Sequence, residues 1–131
     1  MADTAESTYD WVSARAACSL AVIFRTLKLQ VGEDVKKRTD LRPDQSHYGF
    51  RFADHGPDAF IVGLDANPLH QSVLFKLEPN KIEISGDGIK TFEAIPTIND
   101  EGKCRLKVNG IEREFWQVRR MALEKLFFET V

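Results

Sequence analysis

The first forty residues carry apolar positions at the spacing of an α-helix. The segment from Trp11 onward contains no proline until Pro43, and one apolar stripe repeats every three or four positions: Leu20, Phe24, Leu27, Val31 and Val35. Such a stripe lies along one face of a helix. Ser7 and Asp10 have the spacing of a capping box, and the proline ends the pattern because the residue before it avoids helical geometry. The spacing predicts one long continuous helix from near Thr8 to Leu41.

After His47 the apolar period changes to two, which is typical of half-buried strands. Tyr48, Phe50 and Phe52 alternate with smaller or polar residues. Turn residues separate four further strand segments, at 59–64, 73–77, 82–84 and 89–98. Pro96 cannot donate to a ladder, so we expect its strand to lie at an edge or to be bulged.

The last hairpin is the element that the sequence specifies most closely. Asn109-Gly110 is a strong signal for a two-residue type I′ turn, and such a loop fixes the register of its strands. The predicted pairs are Val108 with Ile111, Lys107 with Glu112, Leu106 with Arg113, and Arg105 with Glu114. After Trp116 the apolar spacing becomes helical again, so we expect the chain to end in a short helix.

These elements together predict an α+β fold. Short connections require neighbouring strands to be antiparallel. We therefore expect a long N-terminal helix, an antiparallel meander sheet of six to seven strands and a short C-terminal helix, with the helices on one face of the sheet. Residues 1–131 are predicted to form a single domain, with residues 1–7 disordered.

Composition and charge narrow the class of protein. The chain is 43% hydrophobic and 29% charged, with a formal net charge of −2, as in an average globular domain. Neither half has the positive excess of a nucleic-acid footprint, so we expect no nucleic-acid partner. The acidic N-terminus and the short apolar stretch Leu20–Phe24 predict no signal peptide and no membrane association. In the cytoplasmic protein that we therefore expect, Cys18 and Cys104 should be buried, reduced thiols.

The sequence lacks most of the motifs that are typical of catalysis or cofactor binding. Gly86-Asp87-Gly88 is followed by a strand where a dinucleotide-binding loop needs a helix, and the cysteines lack zinc-ligand spacing. We therefore expect no cofactor and no metal. One predicted turn holds weak acid–base or metal candidates, namely Asp54, His55 and Asp58. Because turns favour aspartate for local backbone reasons, a solvated turn is the preferred interpretation.

Arg113 is the one charged residue that the hairpin register places on the apolar face. It could line a cleft and pair with a ligand carboxylate or phosphate. Alternatively, it lies at the sheet margin and extends to solvent, or pairs with an acidic residue of a helix. Aromatic residues on the inward faces of strands complete the candidate ligand-binding set, namely Phe50, Phe52, Phe75 and Phe92.

Three functions remain open from the sequence. The first is a non-enzymatic interaction module that binds a protein partner or itself as a homodimer, suggested by the long helix and the apolar segment Met121–Phe128. The second is a carrier of a small apolar ligand, held between a curved sheet and the long helix. The third is an acid–base enzyme, since such sites need only two residues that are far apart in sequence.

Overall fold

The computed structural model describes residues 8–41, 49–66 and 69–129. Within them the chain runs from two N-terminal helices through an antiparallel sheet to a C-terminal helix. This order confirms the predicted α+β fold. Ser7 and the N-terminal segment predicted to be disordered lie outside the described residues.

The N-terminal segment forms two helices, α1 (Trp11–Ala17) and α2 (Leu20–Leu41). The prediction of one continuous helix is therefore wrong at the junction. The Cys18 N–H donates to the carbonyls of both Ala14 and Arg15, which closes α1 with a tightened last turn. A helix of 22 residues remains, about 33 Å long.

The cysteines are joined in a disulfide, so the expectation of two reduced thiols is wrong. The break between α1 and α2 places Cys18 against the sheet, with its Cα 5.6 Å from the Cα of Cys104. Disulfides are typical of oxidising compartments, so the cysteines no longer support the cytoplasmic assignment, which stays a prediction. No helix in the described part of the chain is both long and apolar enough to cross a bilayer.

The sheet contains seven strands among the described residues, ordered along the sheet as they are along the chain, and all neighbours are antiparallel. Their bounds are β1 Gly49–Asp54, β2 Ala59–Ala66, β3 Leu69–Leu77, β4 Ile82–Gly86, β5 Phe92–Ile98, β6 Cys104–Val108 and β7 Ile111–Arg113. The predicted meander is thus confirmed.

Pro96 lies in an interior strand, because β5 has a neighbour on each side. The prediction of an edge strand is wrong for β5 as a whole. The ladder between β4 and β5 ends at Ala94, however, while the ladder between β5 and β6 begins at Ile95. Pro96 therefore lies where one side of the strand is already unpaired, and this is the position in a ladder that tolerates a missing N–H.

The register of the last hairpin matches the prediction over three pairs, from Val108 opposite Ile111 to Leu106 opposite Arg113. Asn109 and Gly110 have φ values of 54° and 77°, as a type I′ turn requires. The fourth predicted pair is absent from the ladder because β7 ends at Arg113. The next residue, Glu114, is already the N-cap of the C-terminal helix.

The core lies between one face of the sheet and the helices. Five residues of the predicted stripe region of α2 are buried there: Ile23, Phe24, Leu27, Val31 and Val35. The Phe24 ring meets the ring of Phe60, which stacks on Phe75 with 4.6 Å between centroids. The C-terminal helix α3 (Phe115–Glu124) continues into a π-helical turn (Lys125–Glu129), and five of its residues are also buried: Val118, Ala122, Leu123, Leu126 and Phe127.

Candidate binding site

The predicted aromatic residues belong to the packed core. Phe75 is fully buried, and Phe50 meets the ring of Phe127 at 5.0 Å. Phe52 lies 5.6 Å from the ring of Phe60, and Phe92 packs at the edge of the same core. Phe50 and Phe75 are therefore packing residues, whereas Phe52 and Phe92 are partly buried and also line depressions on the surface.

The predicted acid–base turn is the exposed connection between β1 and β2. The Asp54 carboxylate forms an ion pair with Lys28 of α2. The backbone N–H of His55 donates a hydrogen bond to the carbonyl of Ala59 at 2.9 Å. The carbonyl of Asp58 accepts a hydrogen bond from the backbone N–H of Leu77 in β3. No cluster of metal-ligating residues occurs in the described ranges, here or elsewhere. The contacts of this turn are those of a hairpin that docks against α2.

Arg113 occupies the position that the register predicts, opposite Leu106 at the end of β7. Its Nε atom is buried and has no hydrogen-bond partner. The alternative in which Arg113 pairs with an acidic residue of a helix finds no support within the described ranges, where the guanidinium forms no ion pair. The side chain instead lines a cleft.

We call this depression the Arg113 cleft. Its volume is about 290 Å³, and it runs along the first turns of α3. It is lined by Arg113, Trp116, Gln117, Arg120, Met121 and Glu124. The Gln117 side-chain oxygen accepts from the backbone N–H of Glu114 at 2.8 Å, which fixes the start of the helix and hence the wall of the cleft.

A second depression, between the end of α2 and α3, also includes Trp116 in its lining. We call it the α2–α3 groove; its volume is about 380 Å³. Three large apolar side chains surround it and are exposed to solvent: Leu41 at 65%, Trp116 at 50% and Phe128 at 63%. Leu123 and Phe127 are buried and form its floor. Trp116, Arg120 and Glu124 also line the Arg113 cleft, so the two depressions are contiguous.

Basic residues outnumber acidic residues around the two depressions. The basic ones are Lys37, Arg38, Arg113, Arg119 and Arg120, and the acidic ones are Asp34 and Glu124. Arg119 bonds Asp34 at 2.7 Å, and Arg120 bonds Glu124 at 3.0 Å. Both carboxylates are thereby engaged, so positive charge remains in a chain whose formal net charge is −2.

Arg38 ties the end of α2 to the π-helical turn. Its Nε donates to the carbonyl of Phe127 at 2.9 Å, and its guanidinium lies 5.3 Å from the Phe50 ring and 4.8 Å from the Phe128 ring. The wider turn buries Phe127 and leaves its neighbour exposed at the groove. π-Helical turns are rare and occur frequently at functional sites.

The sequence pointed to only part of this site. It indicated Arg113 and the apolar segment Met121–Phe128, but it did not bring Leu41 or Arg38 next to them. The available signal was Leu41 itself, an apolar residue at the end of α2 that lies outside the buried stripe.

Searches against protein families, curated proteins and solved structures find no match for this chain.

Proposed function

We propose that the protein is a non-enzymatic interaction module that binds an acidic, amphipathic segment of a protein partner in the α2–α3 groove. The observation that carries this proposal is the ring of exposed apolar side chains, Leu41, Trp116 and Phe128, around a groove with a buried floor. Contiguous exposed apolar surface of this kind marks interaction sites. Tryptophan and arginine, which both occur here, are the residues most enriched at binding hot spots.

The charge of the lining supports an acidic occupant. Five basic residues face two acidic ones, and both acidic side chains already have partners within the protein. An amphipathic helix that carries acidic residues beside its apolar face would place its apolar side chains around Trp116 and its carboxylates near Lys37 and Arg113. This is the helix-in-groove mode of recognition.

The same charge argues against self-association through this face. In a symmetric homodimer the same surface meets itself, so the excess positive charge of one copy would lie against that of the other. Like charges in contact oppose binding. A partner of opposite charge therefore fits better than a second copy.

The carrier of a small apolar ligand receives less support. The rings of Phe24, Phe60 and Phe75 are in contact where the sequence suggested a cavity between helix and sheet. The α2–α3 groove is bounded by exposed side chains, whereas small-molecule pockets enclose most of their ligand. A segment laid across the surface suits this geometry better.

Isothermal titration calorimetry with two synthetic helical peptides tests the proposal. Both carry leucine on one face; one carries glutamate on its polar face and the other lysine. We expect the acidic peptide alone to bind, and Trp116→Ala to weaken its binding by about 30-fold, as for a hot spot of about 2 kcal/mol. The control is Trp11→Ala, which removes an exposed tryptophan of α1 outside the groove. Equal binding of both peptides, or equal effects of the two variants, would refute the proposal.

A further inference from the structure

Arg113 differs from the other arginines around the site because no described residue accepts a hydrogen bond from its guanidinium. Arg119 bonds Asp34 and Gln30, Arg120 bonds Glu124, and Arg38 bonds a backbone carbonyl. Among the nitrogens of the Arg113 guanidinium, only Nε is both buried and without a hydrogen-bond partner. The terminal nitrogens are therefore the accessible end of a guanidinium that lines the Arg113 cleft.

The position of Arg113 makes this lack of a partner notable. The side chain is partly buried on the apolar face of the sheet, opposite the fully buried Leu106. A guanidinium has five N–H donors in a fixed planar arrangement and matches a carboxylate with two parallel hydrogen bonds. The accessible terminal nitrogens of Arg113 can form such a pair of bonds with an occupant of the cleft.

The neighbours of Arg113 define the charge that such a partner should have. In the cleft, the other guanidinium, Arg120, is bonded by both carboxylate oxygens of Glu124, at 3.0 and 3.4 Å. One positive charge is therefore left without an acidic partner. A singly charged anion balances it, whereas a phosphate dianion would leave an excess of negative charge beside Glu124.

We infer that the Arg113 cleft binds one carboxylate of the segment that occupies the α2–α3 groove. This inference rests on the proposed function and deepens it. Trp116 lines both depressions, so the carboxylate and the apolar side chains of the partner both lie next to the indole ring. The partner segment thus has an aspartate, a glutamate or its terminal carboxylate next to its apolar anchor.

The test uses two small probes of the same shape, 4-phenylbutyrate and the neutral 4-phenylbutyramide. Proton–nitrogen correlation NMR of the full chain follows two signals during each titration: the Arg113 Nε–H and the Trp116 indole N–H. We expect 4-phenylbutyrate to shift both signals. The amide should shift only the Trp116 indole signal, and it should bind about tenfold more weakly than the carboxylate. Inorganic phosphate at the same concentration serves as a third probe.

Variants separate binding from stability. Arg113→Gln should reduce the affinity for 4-phenylbutyrate to that for the amide, and Arg113→Met should do the same with an unchanged or higher melting temperature. Arg25→Gln, which changes an exposed arginine of α2 that lines neither depression, should leave the affinity unchanged.

Several results would contradict the proposed carboxylate position. Equal shifts of Arg113 by carboxylate and amide, no shift by either, or a larger shift by phosphate would each overturn the inference of a carboxylate position. A clear loss of melting temperature in Arg113→Met would do so as well, because it would show that the guanidinium serves stability. The proposed function fails separately, if the acidic helical peptide does not depend on Trp116.

Discussion

The helices at the two ends of the described chain, α1 and α3, both expose a tryptophan, but they are held in different ways. At one end α1 buries no residue of its own, and the disulfide between Cys18 and Cys104 joins it to the sheet. At the other end α3 and its π-helical turn bury five residues in the core. One end is thus attached by a covalent bond, and the other by packing.

The difference shows that an exposed tryptophan is not by itself a binding site. Trp11, on α1, is more exposed than Trp116, yet it lines none of the described depressions with a basic rim. Trp116 belongs to a helix with three buried residues, and it lines two depressions with excess positive charge. Of the two tryptophans, only Trp116 combines exposure with a well-buried helix and neighbouring excess positive charge.

The largest effect is expected where packing holds the molecule together. Phe127→Ala should lower the free energy of unfolding by about 3–5 kcal/mol, because the ring is almost fully buried against Phe50 and its loss leaves a cavity. Urea denaturation followed by circular dichroism measures this. Val12→Ala on the exposed surface of α1 is the control and should change stability by less than about 0.5 kcal/mol. Similar losses in both variants would break the distinction between the two ends.

The covalent attachment of α1 gives the next largest effect. The double variant Cys18→Ala with Cys104→Ala should lower the free energy of unfolding by about 2–4 kcal/mol, since the disulfide closes a loop of 86 residues in the unfolded chain. Amide hydrogen exchange should show the loss of protection centred on α1. Unchanged peptide binding at the α2–α3 groove is expected, and lost binding would show that the two ends are coupled.

A glycine near α1 allows a finer test. Gly102 has φ +79°, and a Cβ there would lie 2.7 Å from the Tyr9 ring, whose hydroxyl donates to the Gly102 carbonyl. Gly102→Ala should cost about 1–2 kcal/mol from the left-handed backbone and more from the displaced ring. Gly56→Ala is the matched control, because Gly56 has φ +92° with no atom within 4 Å of an added Cβ. Equal losses would mean that the Tyr9 contact contributes nothing.

The smallest effect is a pH dependence at the start of α1. Hydrogen bonds from the Ser13 hydroxyl and backbone N–H hold the pKa of Asp10 below its usual 3.8. A lowered pKa means that the cap is fully effective above pH 3.8 and is lost as the pH falls through the folded value. NMR signals of α1 should therefore change at acidic pH, and Asp10→Asn should remove this change. A persistent titration in that variant would assign it to another group.

The sequence predicted those features that depend on neighbours in the chain. Asn109 and Gly110 specify their own turn, and the turn fixes the opposition of Leu106 and Arg113. The alternating residues of the strands and the stripe of α2 likewise report which faces are buried. Each of these depends on residues within about a dozen positions of one another.

Features that depend on distant segments were missed or predicted wrongly. The disulfide needs the break after α1 and the position of β6 together, so the spacing of Cys18 and Cys104 could not indicate it. The α2–α3 groove joins Leu41 to Trp116 and Phe128, which are separated in the sequence by all seven strands. Arg113 was predicted on the apolar face, but the register alone did not show that its buried Nε has no hydrogen-bond partner.

The most direct test of the account compares the two tryptophans in one sample. Proton–nitrogen correlation NMR resolves their indole N–H signals, and the acidic helical peptide is titrated into the intact protein. We expect the Trp116 signal to shift in a saturable way, while the signal of Trp11, the other exposed tryptophan, stays in place. Equal shifts of both signals, or a shift of Trp11 alone, would contradict a specific site at the α2–α3 groove.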